Sequence, residues 1–193
     1  MNEAHALPGS FRDPSGQVYD IDGEIFRTVT ARFASEFEYI ESTGVLRKLI
    51  ADNRLLPFER LDTGAQQSLF DASVKYVLRV PRLRFISYPY EWPFSALKAA
   101  ALLHLEIQLT ALDFGVTLAD ASAYNVQFQG ARPVFIDHPS FRRYRTGEIW
   151  IAHRQFCEQF LNPLLLRALL EFLIIRGTAG LRKAFRRATS PDS

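Results

Sequence analysis

Residues 120 to 137 read Asp120-Ala-Ser-Ala-Tyr-Asn125-Val-Gln-Phe-Gln-Gly-Ala-Arg-Pro-Val-Phe-Ile-Asp137. An acid is followed five residues later by an asparagine. Two short apolar runs then flank Gly130-Ala131, and a second acid closes the second run. Glycine tolerates the positive φ of a tight turn, so the runs on either side predict a β-hairpin over 126–136. A hairpin brings its chain back, which sets Asn125 and Asp137 at the same end of two adjacent strands. A carboxylate and an amide oxygen placed together suit a shared Mg²⁺, and a separate carboxylate such as Asp120 suits the orientation or deprotonation of an attacking hydroxyl. Two plainer readings stand beside this one. Asp120 and Asn125 are also common turn and capping residues, and Asp137 can cap the next turn or bind His138.

Upstream of this stretch the pattern alternates between strand and helix. Val18 to Val29 has alternating apolar residues around Asp22-Gly23 and predicts a first hairpin. Phe33, Phe37 and Ile40, then Val45, Leu46, Leu49 and Ile50, recur at helical spacing, with Gly44 dividing two helices. A polar connector over 52–62 leads to a short helix around Gln66 to Ser73. Lys75 to Val80 and Arg84 to Tyr88 are β-rich and predict a second strand pair across Pro81-Arg82-Leu83. A long helix opens at Pro93 or Ser95, runs to about Phe114 and is closed by Gly115. Downstream, 149–160 and 163–175 read as helices, followed by a weak basic helix over 179–188. Short strands mixed with helices, then a helix-dominated half, give an α+β class.

Charge and composition exclude more than they identify. The net charge is +2. The basic residues Arg176, Arg182, Lys183, Arg186 and Arg187 account for more than all of it, so the rest of the chain is mildly acidic and no nucleic-acid partner is expected. A basic helix of this kind is usually solvated; contact with an anionic surface is the alternative. One cysteine, Cys157, forms no internal disulfide, and no Cys/His spacing fits zinc, which is the usage of a reducing, cytoplasmic compartment. The start of the chain does not read as a signal peptide. The apolar stretches 93–112 and 160–175 are interrupted by charged and polar residues, so no transmembrane segment is expected. His104 reads as a packed side chain. His153 and Cys157 share a helix face, with no third group to complete a nucleophilic set.

At Asp120, Asn125 and the Val134-Phe-Ile-Asp137 strand end, the chain resembles the catalytic loop and metal-binding segment of the protein-kinase-like superfamily, in its small-molecule phosphotransferase branch. The resemblance implies a reduced protein-kinase-like fold, with a small β-rich N-terminal part and a helical C-terminal part. It implies Mg²⁺ with ATP or another nucleotide, Asp120 as the catalytic acid–base group, and Asn125 and Asp137 as metal ligands. Tyr90 and Glu91, in the linker Tyr88-Pro-Tyr-Glu91, would face the base; Glu91 equally reads as a charge at a helix entrance. Arg27 would replace the family's lysine, paired with Glu36 or Glu38. The chain departs from the family in having Leu118-Ala119 before the first acid, His138-Pro139 after the second, and no Gly-rich phosphate loop.

A second resemblance covers 16–166. Ile86-Ser-Tyr-Pro-Tyr-Glu-Trp-Pro-Phe-Ser-Ala-Leu-Lys98, the 120–128 and 134–137 runs, Arg154-Gln-Phe-Cys157 and Leu161-Asn-Pro-Leu164 are similar to the N-terminal region of bacterial proteins described as class I S-adenosylmethionine-dependent methyltransferases, some of them nodulation-related. No strand, Gly-rich turn and helix able to bind S-adenosylmethionine occurs in this chain. The resemblance therefore implies the non-methyltransferase module of such a protein, with a separately encoded methyltransferase as a partner. Three functions remain open: a phosphotransferase-related module binding a nucleotide or small phosphorylated ligand, a non-catalytic accessory or docking module, and a methyltransferase in its own right, which predicts S-adenosylmethionine binding. The expected organisation is a flexible arm over 1–15, one domain over 16–176 and a basic tail over 177–193.

Overall fold

The computed structural model describes residues 5–6, 15–61, 70 and 72–170. The architecture is mixed α+β, with a β-rich N-terminal part and a helical C-terminal part. Strands β1 (His5–Ala6), β2 (Val18–Ile21), β3 (Glu24–Thr30), β4 (Glu59–Leu61) and β5 (Val74–Val80) form one antiparallel sheet in the order β1-β2-β3-β5-β4. The β2–β3 hairpin turns at Asp22 and Gly23, both at positive φ, as the dipeptide predicts. His5–Ala6, within the expected arm, pairs with Asp20 and Tyr19 of β2. The other residues of 1–14, and the tail from 177 on, lie outside the described residues.

Helix α1 (Ala31–Thr43) follows β3 directly and buries Ala34, Phe37 and Ile40. Gly44, at φ 83°, ends it and starts α2 (Val45–Ala51), whose Val45, Leu46 and Leu49 face the same core. Helix α3 (Phe94–Asp113) is the longest element among the described residues and ends before Gly115, at φ 68°. It is followed by β6 (Val116–Leu118), the hairpin β7 (Val126–Gln129) and β8 (Arg132–Phe135), and β9 (Phe141–Arg143), which pairs with β6. One continuous core joins the two parts: Phe37, Ile40 and Leu49 from the first, Ile107, Phe135 and Phe160 from the second.

Two expectations need correction, and a third falls mostly outside the described residues. Residues 84–88 are not a strand, and β5 pairs instead with β3 and β4. Phe85 and Ile86 are exposed, so this run has no apolar face to pack. Its backbone is satisfied by one side chain: Ser87 N–H donates to Gln127 Oε1 at 2.9 Å, and Gln127 Nε2 donates to the Ser87 carbonyl at 3.0 Å. Of the short helix expected over 66–73, residues 66–69 and 71 lie outside the described residues; 72–73 form a turn. The helix expected from 149 begins later, as α4 (His153–Phe156), and continues without a break through 170. Pro163 does not divide it. Immediately before the proline, residues Cys157–Leu161 form a widened turn in which Asn162 N–H bonds the Cys157 carbonyl, five residues back. That turn relieves the clash a proline ring makes with the preceding helical turn.

Candidate functional site

The polar centre lies where the two parts meet, at one end of the β7–β8 hairpin. Gly130, at φ 64°, turns the hairpin, and Val126 pairs with Phe135. Ile136 N–H then donates to the Asn125 carbonyl at 2.9 Å, so Asn125 and Asp137 emerge at the same end of adjacent strands. They meet at Ser140. The Ser140 hydroxyl donates to Asp137 Oδ2, and Asn125 Nδ2 donates to Ser140 Oγ at 3.2 Å.

Asp137 Oδ1 takes the other partner, the guanidinium of Arg27 on β3. Both side chains are nearly buried, 11% and 12% exposed. Arg27 thus reaches across the joint to Asp137 and does not pair with the α1 acids expected for it. Those are engaged elsewhere: Glu36 accepts the Arg143 N–H at 2.5 Å, and Glu38 accepts the Tyr76 hydroxyl, whose pKa that bond raises. Beside the ion pair, His138 Nε2 donates to the Leu56 carbonyl at 2.7 Å. Leu56 N–H in turn bonds the Phe135 carbonyl, and Phe135 N–H bonds the Arg54 carbonyl. His138 is fully buried, and its Nδ1 has no partner. Burial, and next the neighbouring Arg27 charge, lower its pKa to about 4.

Asp120 sits in a separate set of contacts. Its Oδ1 accepts the Ser122 N–H at 2.8 Å and Gln155 Nε2 at 2.7 Å. Gln155 Oε1 accepts the Ala121 N–H, and Gln159 Oε1 accepts the Ala123 N–H. Two glutamines one helical turn apart therefore hold the backbone of the loop that precedes Asn125. Below it, Gln108 Oε1 accepts the Leu118 N–H, and Trp150 Nε1 donates to the Leu118 carbonyl. Sequence reasoning passed over Ser140, Gln155 and Gln159. The available signals were a hydroxyl three residues after Asp137 and a pair of amides spaced four apart, each next to a core phenylalanine, Phe156 and Phe160.

Tyr90 and Glu91 lie apart from this centre. No hydrogen bond or ion pair among the described residues links either to Arg27, Asn125 or Asp137. Glu91 Oε2 accepts the Tyr88 N–H at 2.9 Å, the helix-entrance role, and Tyr90 stacks on Tyr88 with ring centroids 5.5 Å apart. Two open clefts, of about 620 and 490 Å³, lie against the β-rich part, and neither is lined by Asp120, Asn125 or Asp137.

Mg²⁺ prefers six oxygen ligands in near-ideal octahedral geometry and gives up its waters reluctantly. Here one Asp137 oxygen is taken by a cation and the other by a hydroxyl, so the charged ligand of the expected pair has no oxygen left for the ion. In this arrangement the residues do not fit the ion; it would have to displace Arg27. No group of three or more His, Cys, Asp or Glu among the described residues is placed to hold a metal. No described helix is long and apolar enough to cross a membrane.

Comparison with known proteins places the chain beside one curated relative. Over 165 residues it is similar to the nodulation protein NoeA of Rhizobium meliloti (strain 1021). The identity is 52%, and the match takes in 86% of this chain but 34% of that protein. The chain thus spans about a third of the length of the relative. No family model matches it. Among solved structures, that of vaccinia related kinase 3 aligns with 76% of this chain and 54% of its own, at a TM-score of 0.45 and 11% identity.

Proposed function

We propose that this chain is a non-catalytic accessory module with the element order of a reduced kinase-like fold, acting within or beside a nodulation protein of the NoeA kind. One observation carries the reading: the acid expected to bind a metal is used as a joint. Asp137 is closed by Arg27 from the β-rich part and by Ser140 from its own loop. A nearly buried carboxylate with both oxygens engaged is built to hold two layers together. Breaking such a pair leaves an uncompensated charge, which costs far more than an exposed pair would. The separate fixing of Asp120 by Gln155 and Ser122 supports the same reading, since it is bound as a loop anchor.

Titration calorimetry tests this directly. The chain should give no saturable heat with ATP in the presence of Mg²⁺ or Mn²⁺, and none with S-adenosylmethionine. Saturable binding of ATP that depends on Mg²⁺ or Mn²⁺ would overturn the proposal. It would favour the second reading, phosphoryl transfer to a small molecule with Asp120 as base and Asn125 and Asp137 as ligands. That reading draws on the convergence of Asn125 and Asp137 at Ser140.

A further inference from the structure

We propose that the outward face of α3 joins two copies of this chain as an antiparallel, twofold pair. Helix α3 buries Ala100, His104, Ile107 and Ala111 against the core. Its opposite side exposes Leu102 and Leu109 most, at 49% and 66%, with Leu105 and Leu112 flanking them at 37% each. An ordinary surface helix carries polar residues there, and a row of leucines in water marks an interaction face. The spacing is three, four, three, the seam along which two helices interlock side chains at a shallow crossing angle.

Charge fixes the occupant and its direction. The leucine spacing reads the same from either end, so an antiparallel copy sets Leu102 against Leu112 and Leu105 against Leu109. The row is bounded by Lys98 at one end and Asp113 at the other, both exposed and neither with an ion-pair partner among the described residues. Glu106, the other exposed charge beside the row, is already paired with Arg54 at 3.3 Å, so it brings no unpaired charge to the axis. In the antiparallel register, Lys98 of each copy falls within one helical turn of Asp113 of the other, twice over. A parallel pair would set lysine on lysine and aspartate on aspartate, which is unfavourable. The face is therefore self-complementary about a twofold axis, the commonest form of a homodimer. The helix over 162–170 lies beside α3, with Phe160 and His104 rings 4.7 Å apart and Arg167 Nη1 on the Trp92 carbonyl at 2.9 Å. Its exposed Leu165 and Leu169 add apolar surface on the neighbouring helix.

Sedimentation velocity over a range of concentrations of the full 193-residue chain tests the pairing. A concentration-dependent dimer is expected. The double variant Leu105→Lys/Leu109→Lys should be monomeric where the parent is dimeric, with an unchanged circular dichroism spectrum and a thermal midpoint that no longer rises with concentration. Lys98→Asp should weaken association about tenfold, and adding Asp113→Lys to it should restore the parent constant, which only the antiparallel register predicts. A monomer at every concentration, a dimer indifferent to the leucine variant, or a charge swap that fails to rescue overturns the proposal. So does leucine-dependent binding to anionic phospholipid vesicles by a chain that does not self-associate.

Discussion

Asp137 ties the two parts of the molecule together, because Arg27 reaches it from 110 residues away in sequence. Asp137→Ala is expected to cost about 3–5 kcal/mol in urea denaturation, since it leaves the guanidinium nearly buried and unpaired. The double change Arg27→Met/Asp137→Leu should cost much less than the two single changes together, and a double-mutant cycle measures the difference. The buried histidines add a pH dependence. Burial lowers both His104 and His138 from 6.5 to about 4. The unfolded chain therefore takes up protons that the folded one refuses. The stability due to the neutral rings is complete above about pH 6.5 and is lost as pH falls toward 4, at about 1.4 kcal/mol per pH unit for each histidine. Urea midpoints at pH 7 and 5.5 should show the loss, and His138→Gln, which keeps a donor for the Leu56 carbonyl, should reduce it. The hairpin made the meeting of Asn125 and Asp137 legible from sequence. The partner of Arg27 was not legible, because the nearby α1 acids are equally good by charge, and only the packed fold shows that Arg143 and Tyr76 have taken them.

Elements whose signals are local were readable, and those that depend on a distant partner were not. Asp22-Gly23, Gly44, Gly115 and Gly130 each mark a turn or helix end, because each adopts a positive φ suited to its residue type. Residues 84–88 have strand-like composition, yet Gln127 supplies with one amide what a neighbouring strand would have supplied. Strand β4 is only three residues long and too short to show a period. Gly16 is a local constraint of another sort. A Cβ there would fall 1.8 Å from the Thr28 carbonyl oxygen, where Ser15 and Gln17 continue the pairing of β2 along β3. Gly16→Ala should cost about 1–3 kcal/mol as overpacking against backbone. The loss should appear as faster hydrogen exchange at the Thr28 and Thr30 amides, with little change in α3.

For the whole molecule, the shared core and the Arg27–Asp137 joint imply that the β-rich and helical parts unfold together. Both tryptophans, Trp92 and Trp150, lie in the helical part, whereas far-ultraviolet circular dichroism reports on both parts. The two signals should give one coincident transition in the parent chain, and Asp137→Ala should separate them. The α+β class followed from the order of periodic segments, because burial imposes those periods wherever helices and strands lie on a core. The joint between the parts left no periodic trace, since it consists of single side chains and the carbonyls of 54–56. The widened turn at Cys157–Leu161 acts on a still larger scale. It holds one residue more than a regular helical turn, so everything after it is shifted in phase by about 100°. Deleting Glu158 would wind that turn back to an ordinary one and rotate 162–170 like a dial. Arg167 would leave the Trp92 carbonyl, and a different set of leucines would face outward. Which side of this helix meets the surroundings is thus an angular setting, fixed by the length of one turn and not by the residues that follow it.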